Sequence, residues 1–490
     1  MAPTQQHLPP TILSVPPPIL NVLETTLVAP SLSAGAALPE SSLPLTFFDV
    51  LWLTTPPVER VFFYSLAADA GVATILSNLK ASLSQALHAY YPLAGRLRLK
   101  PGTADRYELH YQPGDGVTFT VAEYSNDGAD FDELATDEPK KVAKIAPLAP
   151  TLPEGGALLA LQATVLRGGL AIGMAVHHAA CDGASSTRFL HAWSAASTGA
   201  ADGPPPPVTD RALVNDPGSR LYDFFVKAMP TADQMERVKL SDDQFFATFT
   251  LSKEDIQRVK DVVAAEAGRR GAAPPRCSSL VATFGFIWSC YQRAKDDAGS
   301  NIGDRPTYLC FPIDHRSRMK PPVPDEYLGN CVGAAMHAAP EDQLAAAGAG
   351  GLFIACTAVA AAIEEGVGGV RSPETIESWI VRFKEAAVAG TGMLTVAGSP
   401  RFRVYEVDMG FGRPAKVDIV SVARTGAMAV ADDRSSCGGM EVGISLQAAG
   451  MQRFQKSFED AIAFLHPLNP SFSCADVKVV TVCERSRSTT

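Results

Sequence analysis

Charge is scarce in this chain of 490 residues, and what there is leans acidic: 42 Lys and Arg stand against 52 Asp and Glu. A formal charge of -10 exerts no long-range pull on phosphate backbones or anionic membrane surfaces, so neither nucleic acid nor membrane is expected as a partner. Any anion site has to be a local basic pocket. The nine cysteines are odd in number and dispersed, with no CxxC pair answered by a second pair or a histidine cluster. That excludes a zinc ribbon and a disulfide framework; they read as reduced thiols of a cytoplasmic protein. The first twenty residues, MAPTQQHLPPTILSVPPPIL, lack an early Lys or Arg and are broken by prolines, so a secretory signal is not expected. The longest uncharged apolar run, LFIACTAVAAAI (352–363), is short for a bilayer crossing, and the final STT is no peroxisomal address. Also missing are GxSxG, GxxxxGK[ST] and HExxH, which removes the commonest serine-hydrolase, nucleotide and zinc-hydrolase readings; no metal is expected.

Apolar residues are plentiful, at 46%. Single cores stop growing near roughly 250 to 300 residues, so this chain predicts two domains of similar size. The sharpest break is ADGPPPPVTD (201–210), whose four prolines favour an extended segment. The expected layout is a first domain over 1–200, a crossover over 201–235, a second domain over 236–467 and a frayed polar tail over 468–490. Strands mixed with helices, without a fixed-period repeat, predict an α/β (mixed α+β) fold.

Leu79, Leu83 and Leu87 at helical spacing predict a helix within 79–97 that stops at Tyr91-Pro92. LLALQATVL (158–166) and LAIGMAV (170–176), separated by Arg167-Gly168-Gly169, predict a β-hairpin. Its second strand runs into HHAACDG, and the following ASSTRFLHAW predicts a helix with Ser185 and Ser186 as cap candidates. CSSLVATFGFIW (277–288) and MQRFQKSFEDAIAFL (451–465) predict two more helices.

The stretch GMAVHHAACDGASST (173–187) is the richest in chemistry. Side chains alternate along a strand, so His177 and His178 are expected on opposite faces. Three residues separate His178 from Asp182, across a turn that Gly183 lets bend with positive φ. A carboxylate there either orients the imidazole or pairs with a cation and locks the turn. Neutral imidazole near pH 7 suits a general base, and no protein nucleophile accompanies it, leaving activation of a substrate hydroxyl or amine.

VHHAACDG resembles the HxxxD motif of the plant BAHD acyl-CoA-dependent acyltransferases, and DMGFGRPAKVD (408–418) resembles that family's DFGWG signature. LPLTFFD (43–49), YYPLAGRL (90–97), PPPVTDRALVNDP (205–217), DHRSR (314–318) and YLGNC (327–331) fall in the family's order, so the likeness runs over roughly residues 10 to 466. LPLTFFD and YLGNC point to the clade that acylates anthocyanin, flavonoid and other phenolic glucosides, often from malonyl-CoA.

The resemblance implies two chloramphenicol-acetyltransferase-like domains with an active-site channel between them. It also implies a monomer with no resident cofactor, acyl-CoA as co-substrate and a phenolic acceptor. The candidate catalytic residues are His178, Asp182 and Asp408. His178 is implied as the base, Asp182 as the partner of Arg316, and Asp408 with Gly410 and Gly412 as a brace on the CoA side. Lys260, Ser278 and Ser279 resemble the CoA-contacting region. Met409 and Phe411 stand where the family has Phe and Trp, Leu328 replaces an aromatic, and Ala184 stands where many malonyl-transferring relatives carry Lys or Arg. Arg188, one helical turn on, is the candidate cation for a malonyl carboxylate. The alternatives are a hydroxycinnamoyl-CoA O- or N-acyltransferase, a non-catalytic binding homologue, and a peptide-synthetase condensation domain, which shares HHxxxDG but would act on carrier-bound acyl groups.

Overall fold

The computed structural model describes residues 20–31, 38–124, 130–228, 240–295, 305–368, 373–388, 392–435 and 437–467. The polar tail from 468 and the end of the crossover, 229–239, lie outside the described residues.

The predicted hairpin forms the heart of a six-stranded sheet. Leu159–Leu166 pairs antiparallel with Gly169–Val176 through a turn at Gly168, whose φ of 84° favours glycine. Both strands are buried almost throughout, which is what their unbroken apolar runs require. The sheet order is Leu20–Val28, Val117–Tyr124, Leu159–Leu166, Gly169–Val176, Val58–Ser65 and Lys416–Ile419. Helices Val72–Ala89 and Gly183–Thr198 pack against each other. The first starts earlier than Leu79 and ends before the Tyr91–Ala94 turn; in the second, buried Trp193 donates Nε1–H to Leu79 O at 3.2 Å and Ser82 Oγ at 3.0 Å.

A seven-stranded sheet follows the order Val332–Pro340, Pro306–Asp314, Met393–Gly398, Met428–Asp432, Met440–Gln447, Gln244–Leu251 and Lys140–Lys141. Helices Lys253–Arg269, Ser279–Lys295, Ala349–Gly368 and Ala448–Leu465 supply its core. Ala349–Gly368 is longer than the uncharged run inside it: its 20 residues are long and apolar enough to cross a membrane by length and composition. Here Leu352, Phe353, Ala355, Cys356 and Val359 are buried in the second core, against Ser279–Lys295 and Val332–Pro340.

Each sheet borrows an edge strand from the other half of the chain: Lys416–Ile419 pairs with Val58–Ser65, and Lys140–Lys141 with Gln244–Leu251. The crossover divides the sequence more sharply than it divides the sheets. The borrowed strands bring their charges together. Lys140 Nζ lies 2.6 Å from Asp418 Oδ2, and Lys416 Nζ lies 2.7 Å from Asp137 Oδ1 and 3.6 Å from Glu441 Oε2. Lys416 and Asp418 are wholly buried, so each charge depends on the others to offset its lost hydration.

Candidate active site around His178

The strand Gly169–Val176 ends one residue before the histidines, which both lie in the turn that follows. Strand parity therefore does not separate them; their partners do. His177 N–H donates to Leu158 O at 2.8 Å, and its Nδ1 accepts from Ala179 N–H at 3.2 Å. Burial, with His178 beside it, holds the His177 pKa down to about 4.

His178 is fixed from several sides. Its imidazole stacks on the Trp52 indole, with centroids 3.9 Å apart and planes 11° from parallel. Its carbonyl accepts from Asn330 Nδ2 at 2.9 Å, and the same amide donates to Asp49 Oδ1 at 3.0 Å. Asp49 is fully buried; its other oxygen accepts from Thr46 N–H and Oγ1–H at 2.8 and 2.7 Å, closing a capping box. The motifs LPLTFFD and YLGNC thus meet beneath the histidine. His178 Nδ1 is sealed from solvent and sits near its own carbonyl and Asn330 without reaching hydrogen-bond geometry. Burial depresses the pKa of His178; its carbonyl, Asp182 and Asn330 oppose that, and the Arg60 cation adds to it. The net result is a neutral imidazole at physiological pH.

Asp182 turns away from the imidazole into the protein. Its Oδ2 is 2.8 Å from Arg316 Nη1 and accepts from Cys331 N–H at 3.1 Å, while Oδ1 accepts from Ser185 N–H at 2.9 Å. The pair is almost fully enclosed, at 1% and 2% exposure. Burial alone would raise the Asp182 carboxyl, but Arg316 and the two backbone donors hold it below the usual carboxylate range. The helix cap is therefore Asp182 itself, not Ser185 or Ser186. Ser185 Oγ instead donates to Tyr327 O at 2.9 Å and Gly329 O at 3.1 Å.

Gly183 is needed for room and not for positive φ, which it does not have. A Cβ there would meet the Phe402 ring at 2.7 Å and Arg60 Nη2 at 3.4 Å. Arg60, on Val58–Ser65, is buried; it donates to Thr187 Oγ1 at 2.7 Å and lies over the Phe402 ring at 5.6 Å. With no carboxylate within ion-pair distance among the described residues, its pKa falls to about 10 through burial, partly offset by Cys181 and Asp182.

Asp408 does not reach the histidine. Its Oδ1 accepts from Gly410 N–H at 2.8 Å and Gly412 N–H at 3.1 Å, and both glycines have positive φ, 85° and 118°. The loop docks on the helix Gly183–Thr198 through Ser194 Oγ to Asp408 O at 2.6 Å and Ser197 Oγ to Met409 O at 2.7 Å. Met409 is buried, and Phe411 meets Tyr64 edge-on at 5.2 Å, so the two replaced positions still pack. Arg188 is near enough to Tyr90 to act on its phenol electrostatically. Away from His178, Lys260 Nζ donates to Ser279 Oγ at 3.0 Å, and Ser278 Oγ accepts from Val281 N–H at 3.3 Å. The three predicted CoA contacts therefore converge on the start of Ser279–Lys295. Among the described residues, no three His, Cys, Asp or Glu side chains gather as a metal site.

Trp52, Asp49, Arg60 and Asn330 were not singled out in the sequence as functional residues. Asp49 and Asn330 lay inside quoted motifs, and that was the available signal.

A buried acid–arginine pair braces the turn that carries the histidine, in a mixed α/β fold, and the comparisons with known proteins give the class. A Transferase family model matches residues 20–461. Phenolic glucoside malonyltransferase 1 of Arabidopsis thaliana is 33% identical over 464 residues, covering 87% of this chain and 94% of the relative. Coumaroyl-CoA:anthocyanidin 3-O-glucoside-6''-O-coumaroyltransferase 2 of the same plant is 28% identical over 475 residues, covering 90% and 97%. The crystal structure of vinorine synthase shares the fold, with a TM-score of 0.63 at 20% identity over 89% of this chain and 96% of that one. The chain belongs to the Transferase (BAHD) family and is an acyl-CoA-dependent acyltransferase.

Proposed function

We propose that this enzyme transfers an acyl group, malonyl by preference, from acyl-CoA to a hydroxyl of a phenolic or flavonoid glycoside, in a ternary complex, as a cytoplasmic monomer. His178 Nε2 takes the acceptor's proton while the acceptor oxygen attacks the thioester carbonyl. The C–S bond then breaks, and the imidazolium returns the proton to the CoA thiolate. A positioned base of this kind contributes about two to four orders of magnitude. The observation that carries the reading is the held, neutral imidazole, with both flanking motifs spent on fixing its backbone and none on its Nε2.

Asp182 and Arg316 serve as the lock of the turn, and Asp408, Gly410 and Gly412 as a brace behind its helix. Lys260, Ser278 and Ser279 supply a cation and a helix N-terminus suited to CoA phosphates. Direct transfer is supported by Cys181, which is buried with its thiol pushed far up by desolvation, a poor acyl carrier. Malonyl as donor rests on the first of the two relatives above. Ala184, where many malonyl-transferring relatives carry Lys or Arg, favours the second reading, a hydroxycinnamoyl donor, because that position itself offers no cation to a free carboxylate. Incubating the enzyme with malonyl-, acetyl- and coumaroyl-CoA and a phenolic glucoside separates the two by product mass. Malonylated glucoside as the main product supports the first; coumaroylated glucoside selects the second; no product from any donor removes both.

A further inference from the structure

The Trp52–His178 stack is the closest ring pair among the described residues. Ordinary core packing does not account for the choice of tryptophan. The indole Nε1 is sealed from solvent with no hydrogen-bond partner, so a buried donor is left unsatisfied at a position where leucine or phenylalanine would leave none. Trp52 sits in the turn after Phe47–Val50, tied back by Trp52 N–H to Asp49 O at 3.1 Å and by Thr55 Oγ1–H to Trp52 O at 2.8 Å. One short segment therefore holds the carboxylate that anchors Asn330 and the ring that covers the imidazole.

We propose that Trp52 is a positioning residue for the general base: its π face confines the His178 ring to one plane and stabilises the imidazolium formed when the acceptor's proton is taken. A cation over an indole face is the strongest of the cation–aromatic pairings, and it strengthens where water is excluded. Here the attraction is absent while the ring is neutral and appears as the proton arrives, so it acts on the transition state more than on the resting enzyme. The other groups facing the imidazole are Asp182 and His177 in its own turn, Arg60 from Val58–Ser65, and Asn330 with Asp49 behind it. Arg60 disfavours the imidazolium and Asp182, turned away toward Arg316, favours it.

This rests on His178 being the base, and the tests keep the two apart. The pH dependence of kcat/KM is measured for the wild type, Trp52→Phe, Trp52→Leu and His178→Ala, with melting temperatures alongside. Trp52→Phe is expected within about threefold of wild type, because a π face remains. Trp52→Leu is expected to lose about tenfold in kcat with little change in KM for acyl-CoA, and its acid limb to move to lower pH by about half a unit or more. An unshifted limb in Trp52→Leu, or Trp52→Phe as damaged as Trp52→Leu, overturns the inference. Full activity in His178→Ala overturns the reading beneath it instead. Should Trp52→Leu not fold, intrinsic fluorescence against pH gives the answer with Trp52 in place. A quenching step below pH 6.5, present in the wild type and missing in both His178→Gln and Trp52→Phe, supports the stack. A step that persists in His178→Gln refutes it.

Discussion

Asp182 and Arg316 form a buried pair turned away from the His178 ring. With both side chains buried and Asp182 capping the helix that begins at Gly183, losing one charge strands the other. Asp182→Asn is expected to cost about 3 to 5 kcal/mol of stability, the range for breaking a buried pair, and activity should fall with the melting temperature. Calorimetry beside turnover checks this; an unchanged melting temperature with lost turnover would make Asp182 a direct participant. The His-x3-Asp spacing and the partner Arg316 were legible because motif order carries them. Which histidine matters was not legible from parity, since the strand stops at Val176. The role of Trp52 was hidden for another reason: it is a contact between residues 126 positions apart in the chain, and no local pattern encodes such a contact.

The elements around the site were read well where local signals were strong. The hairpin, the helix after Asp182 and the helices near 279 and 451 all appear, because turn glycines and apolar periodicity announce them. Gly183 looks in sequence like an ordinary turn glycine, because the close packing from Phe402, 219 residues away, leaves no local sign. Gly183→Ala drives a methyl into the Phe402 ring and is expected to destabilise by about 1 to 3 kcal/mol, the usual cost of overpacking. Phe402→Leu in the same chain should recover part of that loss. Thermal melts of the single and double variants test it; additive losses would show that the ring is not the obstacle.

Across the whole molecule, the described residues build a six-stranded and a seven-stranded sheet, and the edge strands exchanged between them are invisible in the sequence. Lys140–Lys141 and Lys416–Ile419 are too short to carry a strand signature, and their charges read as surface residues. Lys140, Lys416 and Asp418 are buried instead, and they interlock the sheets. Lys416→Met removes the cation between Asp137, Asp418 and Glu441 and is expected to cost about 3 to 5 kcal/mol, read by denaturant unfolding. A neutral result would mean that the acids regain their hydration or protonate without loss, and that the ionic interlock contributes nothing.

The account turns on one histidine. Steady-state kcat/KM with malonyl-CoA and a phenolic glucoside, measured for His178→Ala and His177→Ala beside wild type, tests it most directly. The depressed pKa places the wild-type acid limb below pH 6.5, with a plateau above it where the imidazole is neutral. On that plateau, His178→Ala is expected to lose about two to four orders of magnitude while remaining folded, and His177→Ala much less. A folded His178→Ala protein with near wild-type turnover, or the larger loss falling on His177→Ala, would contradict the account.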